Sequence, residues 1–244
     1  MKVAIITDIH GNAPALKSVL SDIDKTREVE HIYCLGDMIG IGPDSNEVLH
    51  ILFSRSDITM ITGNHDEAIL ALANKQEHPK SHAHVKVHHQ WLLDRIDPDF
   101  ISSLNHLPRM IRKKFVGNSV LFTHYQFEND KTNKHISEDP FSSIVDANIE
   151  KVDNLFKNNH EDLICFGHHH PIHYFKGERS IYLNPGSLGC NHEPIAPYAI
   201  VEFKLEQIKV YLKKVEYNNQ SFLKSFDRLK VPERTFILKA FYGQ

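Results

Sequence analysis

Ile58-Thr59-Met60-Ile61-Thr62-Gly63-Asn64-His65-Asp66 is a short, β-branched apolar run that ends in a glycine and then delivers an amide, an imidazole and a carboxylate side by side. An apolar run of this length fits a strand buried on both faces. The polar triplet falls where the chain would leave the sheet, and ligands of α/β proteins bind at that edge. An ordinary strand exit that uses Asn, His and Asp for turn chemistry would read the same way. The flanking sequence decides between the two.

Upstream, residues 3–6 form another continuous apolar run, which leads into Thr7-Asp8-Ile9-His10-Gly11-Asn12. Residues 13–25 place Leu16, Val19, Leu20 and Ile23 at helical spacing, with Pro14 in the first turn where its missing N–H is tolerated. Asp8 and His10 therefore lie on a strand-to-helix loop, and their i, i+2 spacing sends both side chains one way if the backbone is extended. Residues 31–35 repeat the pattern and end at Gly36-Asp37, and a helix is expected over 46–53. Strands alternating with helices predict a parallel sheet with helices packed on its faces. Three polar strand ends, Asp8/His10, Asp37 and Asn64/His65, then converge on one edge and make a site.

Downstream, residues 66–107 read as helical pieces over 67–73, 84–93 and 100–104, separated by Pro79, Pro98 and Pro108. The segment follows the third strand end directly, so it is expected to lie over the site as a cap, anchored by Trp91, Leu92 and Leu93. It carries His78, His82, His84, His88 and His89. The pair His82-Ala83-His84 invites comparison with the His-x-His-x-Asp-His pattern of metallo-β-lactamase-type hydrolases. Lys86 and Val87 occupy the Asp and His positions, so a polar helix face touching substrate is the better reading. A hairpin is expected over 110–115 and 119–122, turning through Gly117-Asn118 and running out at Thr123-His124. Residues 126–146 are polar and irregular, and 149–157 should be helical. The strand 163–166 exits into Gly167-His168-His169-His170-Pro171, where extended backbone would set His168 and His170 on one face and His169 on the other. Strands over 173–175 and 180–183 lead to Asn184-Pro185-Gly186-Ser187-Leu188-Gly189, a turn whose amides are candidates for an anion site. A last hairpin (198–204, 208–214) precedes a partly helical tail, 218–244, whose excess of Lys and Arg reads as a solvated flank.

With 244 residues, 41% of them hydrophobic, the chain can bury the core of one large domain, 1–244. A net charge of −3 gives no reason to expect stable nucleic-acid binding. Asp8 cuts the first apolar run too early for a signal peptide or a membrane span, which points to a cytoplasmic protein. Three cysteines, an odd number, do not make a disulfide framework. Cys34 and Cys165 fall inside strands as small hydrophobes, whereas Cys190 lies in a Gly-rich loop within reach of the site. Histidine, at 18 residues, is the unusual entry in the composition, and it is the side chain suited both to metal ligation and to acid–base work near neutral pH.

The strand-end residues Asp8, His10, Asp37, Asn64, His65, His124, His168 and His170 offer two carboxylates, an amide oxygen and four or five imidazoles, a nitrogen and oxygen set without thiolate. One ion does not need so many. Divided between two ions that share a carboxylate, they suit a two-metal hydrolytic site. Asp8-x-His10, Gly36-Asp37, Gly63-Asn64-His65-Asp66, His124 and Gly167-His168-x-His170, in this order, resemble the calcineurin-like metallophosphoesterase superfamily, and Asn184-Pro185-Gly186-Ser187 resembles its small bacterial and archaeal single-domain branch.

The resemblance implies an α/β fold, a four-layer α/β/β/α sandwich of two mixed sheets, with the helical cap insertion at about 67–107. It implies two divalent or trivalent transition-metal ions, manganese first and iron, zinc, nickel or cobalt as alternatives. Asp8, His10 and His170 would hold one ion, Asn64, His124 and His168 the other, and Asp37 would bridge them. His65 would act on the phosphoryl group or the leaving oxygen, oriented by Asp66, with Asp37 as a second candidate for that role. The implied activity is hydrolysis of a phosphodiester or nucleotide-like substrate by in-line attack of a bridging hydroxide. The alternatives are a phosphomonoesterase, a dinucleoside polyphosphate hydrolase, or a non-catalytic metal-binding scaffold of the same fold. Two departures argue against the protein-phosphatase and symmetrical dinucleoside polyphosphate hydrolase branch: Asp37-Met38-Ile39-Gly40 lacks the Asp-Arg pair, and Asp66 stands where that branch has Glu.

Overall fold

The computed structural model describes residues 1–244. It opens with β1 (Lys2–Ile6), α1 (Ala13–Lys25), β2 (Val29–Cys34), α2 (Ser45–Phe53) and β3 (Ile58–Met60). α1 begins at Asn12, whose side chain accepts the Ala15 N–H at 3.1 Å, and it buries Leu16, Val19, Leu20 and Ile23. There follow α3 (Asn64–Ala73), a 3₁₀ segment (Lys80–Val85), α4 (Lys86–Leu93) and α5 (Pro98–Leu104). The second half contains β4 (Met110–Phe115), β5 (Asn118–Thr123), α6 (Ile149–Leu155), β6 (Leu163–Cys165), β7 (His173–Lys176) and β8 (Ile181–Asn184). β9 (Ile195–Lys204), β10 (Gln207–Glu216), α7 (Gln220–Arg228) and α8 (Arg234–Tyr242) complete the chain.

The strands form two five-stranded sheets, ordered β10-β9-β1-β2-β3 and β4-β5-β6-β8-β7. Both are mixed. β1, β2 and β3 run parallel and β9 joins β1 antiparallel, while β5, β6 and β8 run parallel between antiparallel neighbours β4 and β7. The alternation of side chains along each strand builds the layers. Val3 and Ile5 of β1 and Tyr33 of β2 meet Val120, Phe122, Leu163 and Cys165 between the sheets, with the Tyr33 and Phe122 rings stacked at 4.0 Å. Ala4, Ile6, Ile32 and Cys34 turn the other way, against the helices of the first half. Leu121 and Ile164 face Val152 and Phe156 on the far side. The result is the α/β/β/α order that the resemblance implies. A parallel sheet with helices on both faces, the reading from the first three strands alone, is therefore corrected, because one face of each sheet is covered by the other sheet.

Within residues 67–107, Ile69, Leu70, Leu92, Ile96 and Leu104 enter the same core as α1 and α2. Trp91 packs against that core and against the C-terminal one, with the Arg95 guanidinium 4.1 Å above its ring. The 3₁₀ segment buries none of its residues.

Two other expectations are corrected. The β4–β5 hairpin turns one residue earlier than Gly117-Asn118: Val116 and Gly117 fill the loop with φ of +49° and +87°, and Asn118 pairs with Phe115. The Asn118 amide nitrogen lies 3.0, 3.2 and 3.0 Å from the carbonyls of Phe115, Val116 and Lys204, so it ties the second sheet to β9 of the first. The tail is not a solvated flank either. Phe222, Phe226, Val231, Ile237 and Tyr242 close over Ile41 and Cys190 in a core of their own, while Lys224, Arg228, Arg234 and Lys239 face outward. Net charge hid the amphipathic spacing. No helix is long and apolar enough to cross a membrane.

Asn118→Ala leaves three carbonyls without that donor, the Phe115 one buried and the other two half-buried, at an expected cost of about 1–3 kcal/mol. The melting temperature should fall by roughly 3–10 °C. An unchanged melting temperature would mean that the two sheets are held together at this end without the amide.

Candidate metal centre

Every expected site residue lies at the carboxyl edge of a strand: Asp8 and His10 after β1, Asp37 after β2, Asn64 and His65 in the first turn of α3 after β3, His124 after β5, and His168 and His170 after β6. The backbone that presents them is not extended. Asp8, His10, Asp37 and His168 have φ of +52°, +49°, +50° and +66°. Left-handed backbone at a residue with a Cβ costs on the order of 1–3 kcal/mol, and such residues persist only where their surroundings hold them. Asp8 and His10 thus converge through two left-handed turns, not through the pleat. His169 does point away, with its Nδ1 2.9 Å from His173 Nε2.

The ligand atoms form two adjoining groups. In the first, Asp8 is wholly buried, and its Oδ2 accepts from Thr7 Oγ1 at 2.7 Å and from the His168 N–H at 3.0 Å. Its Oδ1 has no hydrogen-bond partner and lies 3.7 Å from His10 Nε2 and 3.8 Å from His170 Nε2. His10 Nδ1 faces the Ile39 carbonyl at 3.3 Å, which makes it the N–H and leaves Nε2 bare, 3.1 Å from His170 Nε2. A bare carboxylate oxygen and a bare imidazole nitrogen pointing at one spot fit a cation, and the carbonyl behind the imidazole is the usual partner of a metal-binding histidine.

In the second group, His124 Nδ1 lies 2.7 Å from the Leu35 carbonyl, and its Nε2 lies 2.9 Å from Asn64 Oδ1 and 3.3 Å from Asp37 Oδ2. His168 Nδ1 is 2.6 Å from the same Asn64 oxygen. Asp37 belongs to both groups. Its Oδ2 is also 3.8 Å from His10 Nε2, and its Oδ1 accepts the His65 N–H at 2.8 Å. The ligand atoms of Asp8, His10 and Asp37 lie within 4.8 Å of one another, as do those of Asp37, His124 and His168. A Cβ on Gly63 would fall 2.2 Å from Asp37 Oδ1, so only glycine lets the carboxylate sit there. Cys190 does approach the site, with its thiol beside His10 and His170. Burial pushes that thiol's pKa up, and Tyr242 Oη lies 3.7 Å from the sulfur.

Burial pulls His10, His168 and His170 down to about 4, about 3 and about 4, so all three are neutral at pH 7 and have lone pairs to give. Burial acts on His124 in the same direction, but the Asp37 carboxylate beside it raises it to about 10. Asp37, despite its burial, is held well below the usual carboxylate range by His124 and His65. A cation held by this pair would take the place of that proton.

Asp66 is placed differently from its expected role. Its carboxylate accepts the backbone N–H groups of Gly63 (2.9 Å), Met38 (3.1 Å) and Ile39 (3.2 Å), and does not hold the His65 ring. The ring partner is His89, whose Nε2 lies 2.9 Å from His65 Nδ1, with His78 Nε2 2.9 Å behind His89 Nδ1. His82 Nε2 sits 2.8 Å from the Asn64 amide nitrogen, which turns the Asn64 oxygen toward His124 and His168. The run of cap histidines was the sequence signal for His82 and His89, but nothing in their spacing says which ones reach inward. The turn 184–189 is also corrected, because its amides serve the protein itself: Gly186 donates to Asn184 Oδ1, Ser187 to His170 O, Leu188 to Thr7 O and Gly189 to Asp8 O.

The family model for the calcineurin-like phosphoesterase superfamily domain matches residues 1–206, and the chain belongs to that superfamily. An uncharacterized protein of Methanocaldococcus jannaschii is 27% identical over 246 residues, spanning 95% of this chain and 94% of its own. The crystal structure of a hypothetical protein of Pyrococcus horikoshii superposes with a TM-score of 0.79 at 20% identity, covering 100% of this chain and 98% of that one. A symmetrical bis(5'-nucleosyl)-tetraphosphatase of Pectobacterium atrosepticum is 34% identical over 73 residues, 30% of this chain and 26% of that enzyme's length.

The Asp66 carboxylate holds both amides that follow Asp37, and Ile39 in turn offers its carbonyl to His10. Asp66→Ala should therefore weaken metal binding by about 10–100-fold, as loss of a ligand-orienting contact does. Titration of the metal-stripped variant reads this directly. Normal metal affinity with lost turnover would instead make Asp66 a partner in catalysis.

Proposed function

We propose that this member of the calcineurin-like phosphoesterase superfamily is a binuclear metal-dependent phosphoesterase acting on a phosphodiester or nucleotide-like substrate. The observation that carries the reading is the position of Asp37, shared by two convergent groups of candidate ligand atoms, with the buried Asp8 Oδ1 beside it left without a hydrogen-bond partner. Asp8, His10 and His170 would hold one ion, Asn64, His124 and His168 the other, with Asp37 common to both. Bound there, two ions supply a hydroxide near neutral pH and neutralise the oxygens of the phosphoryl group. Manganese is the first metal to test, since a nitrogen and oxygen set of this kind accepts several.

The chain's own contribution centres on His65. Its backbone N–H braces Asp37, and its Nδ1 is engaged by His89, so Nε2 is the nitrogen available to give a proton to the leaving oxygen. The ring lies edge-on to His10 at 5.2 Å, beside the first ligand group. On this reading residues 1–244 are one domain and 67–107 its cap, reaching the site through His82 and His89. The short similarity to tetraphosphatases supports a nucleotide-like substrate, while the missing Asp-Arg pair and Asp66 in place of Glu argue against the protein-phosphatase and symmetrical tetraphosphatase activities themselves. The three unpaired, buried cysteines suit a reducing compartment such as the cytoplasm.

The test is hydrolysis of bis-p-nitrophenyl phosphate against p-nitrophenyl phosphate by metal-stripped protein with Mn²⁺ restored, alongside a metal count. We expect metal-dependent turnover that favours the diester, with about two ions per chain. His65→Ala should keep both ions and lose roughly 10²–10⁴-fold in kcat, and Asp37→Asn should lose metal as well. Metal-loaded protein inert to both esters would oppose the reading, and loss of metal in His65→Ala would reassign that residue.

A further inference from the structure

Two cavities open from the site and share a single side chain, His82. One, of about 350 Å³, runs past Asn64 and His168 and is polar, with Asp139, Ser142, Ser143 and the Lys131–Glu128 ion pair on its walls. The other, of about 380 Å³, starts at His65 and is lined by Ile41, Val85, Phe236, Ile237 and Phe241, with the His84 and His88 rings between them. Gly40 forms part of its mouth: a Cβ there would fall 2.5 Å from His65 Cβ, and the residue has φ +120°, so glycine keeps the cavity continuous with the imidazole.

The second cavity is the informative one. Phe236, Ile237 and Phe241 come from α8, past residue 206 where the family match ends. Glu233 is the only carboxylate on its walls, and no Lys or Arg lines it. An anionic group such as a second phosphate would lose water there and meet a like charge. An uncharged ring would instead bury apolar surface against two phenyl rings. Phe236 is 58% exposed, so its ring stands uncovered at the rim.

We infer that this cavity receives the leaving group of the phosphodiester, that the group is an uncharged aromatic or similarly apolar ring, and that Phe236 is a specificity-determining residue for it. The inference rests on the phosphodiester reading above and adds the chemistry of the two substituents. The group that departs lies beside His65, and the group that stays lies on the polar side of His82, among the serine hydroxyls.

The experiment is calorimetric titration of Mn²⁺-loaded protein with phenylphosphonate and with methylphosphonate, which reads binding without turnover. Wild-type protein should bind the phenyl compound roughly tenfold more tightly, Phe236→Ala should lose most of that preference, and Phe236→Tyr should keep it. Phe236 lies on the outer side of α8, away from every proposed ligand, so metal content should not change in either variant. Equal binding of the two phosphonates, or a preference untouched in Phe236→Ala, would overturn the inference. The same proteins are then assayed on bis-p-nitrophenyl phosphate. Turnover without the phenyl preference overturns the cavity assignment and leaves the enzyme reading intact. The preference without turnover keeps the ring-binding cavity and counts against the phosphodiesterase reading.

Discussion

The left-handed backbone at four of the proposed ligand residues is the constraint on which the rest of the site depends. Each of these turns is unfavourable alone, so each must be held from outside. The hold comes from backbone hydrogen bonds that run from loop to loop beyond the ends of the sheets: Asp8 N to Gly36 O, His10 N to Asp37 O, Gly11 N to Met38 O, Gly42 N to His10 O and Gly167 N to His124 O. The segment 187–189 adds bonds to the carbonyls of His170, Thr7 and Asp8, and Ser187 Oγ reinforces the last at 2.8 Å. The loops behave as a continuation of the sheets, which is why they can carry strained residues in fixed positions.

This arrangement explains the electrostatics as well. A rigid, buried edge keeps most of its imidazoles neutral and turns Asp8 Oδ1 inward without a donor, a state that water-exposed loops would relax. Asp66 and His82 show how such an edge is maintained. One uses its carboxyl oxygens to hold backbone amides next to Asp37, and the other holds the amide of Asn64 the right way round. Neither is among the proposed ligands, yet both fix where ligand atoms point.

Much of this was legible in the sequence because it is local. Strand ends, the α1 cap at Asn12 and the polar residues at each exit are encoded within a few positions of where they act. The parts that were misread depend on partners far along the chain. Asn118 looked like a turn residue because its neighbour is Gly117, but its amide is committed to Lys204. Asp66 looked like a partner for the adjacent His65, but its acceptors are matched by amides on another loop. The amides of 184–189 looked free for an anion, but the β1 exit uses them. The tail was judged by its charge, when the spacing of Phe222, Phe226, Ile237 and Tyr242 carried the information.

The position of α8 separates the two tasks that a hydrolase must perform. The atoms proposed to hold metal belong to residues 8–170, within the part of the chain that matches the family, whereas much of the apolar wall beside His65 belongs to the last helix. Substitutions along that helix can therefore redraw which molecules are admitted without disturbing a single ligand or strained turn. Descendants of such a chain can diversify in diet while inheriting the same chemistry, and two relatives with superimposable centres need not share a substrate.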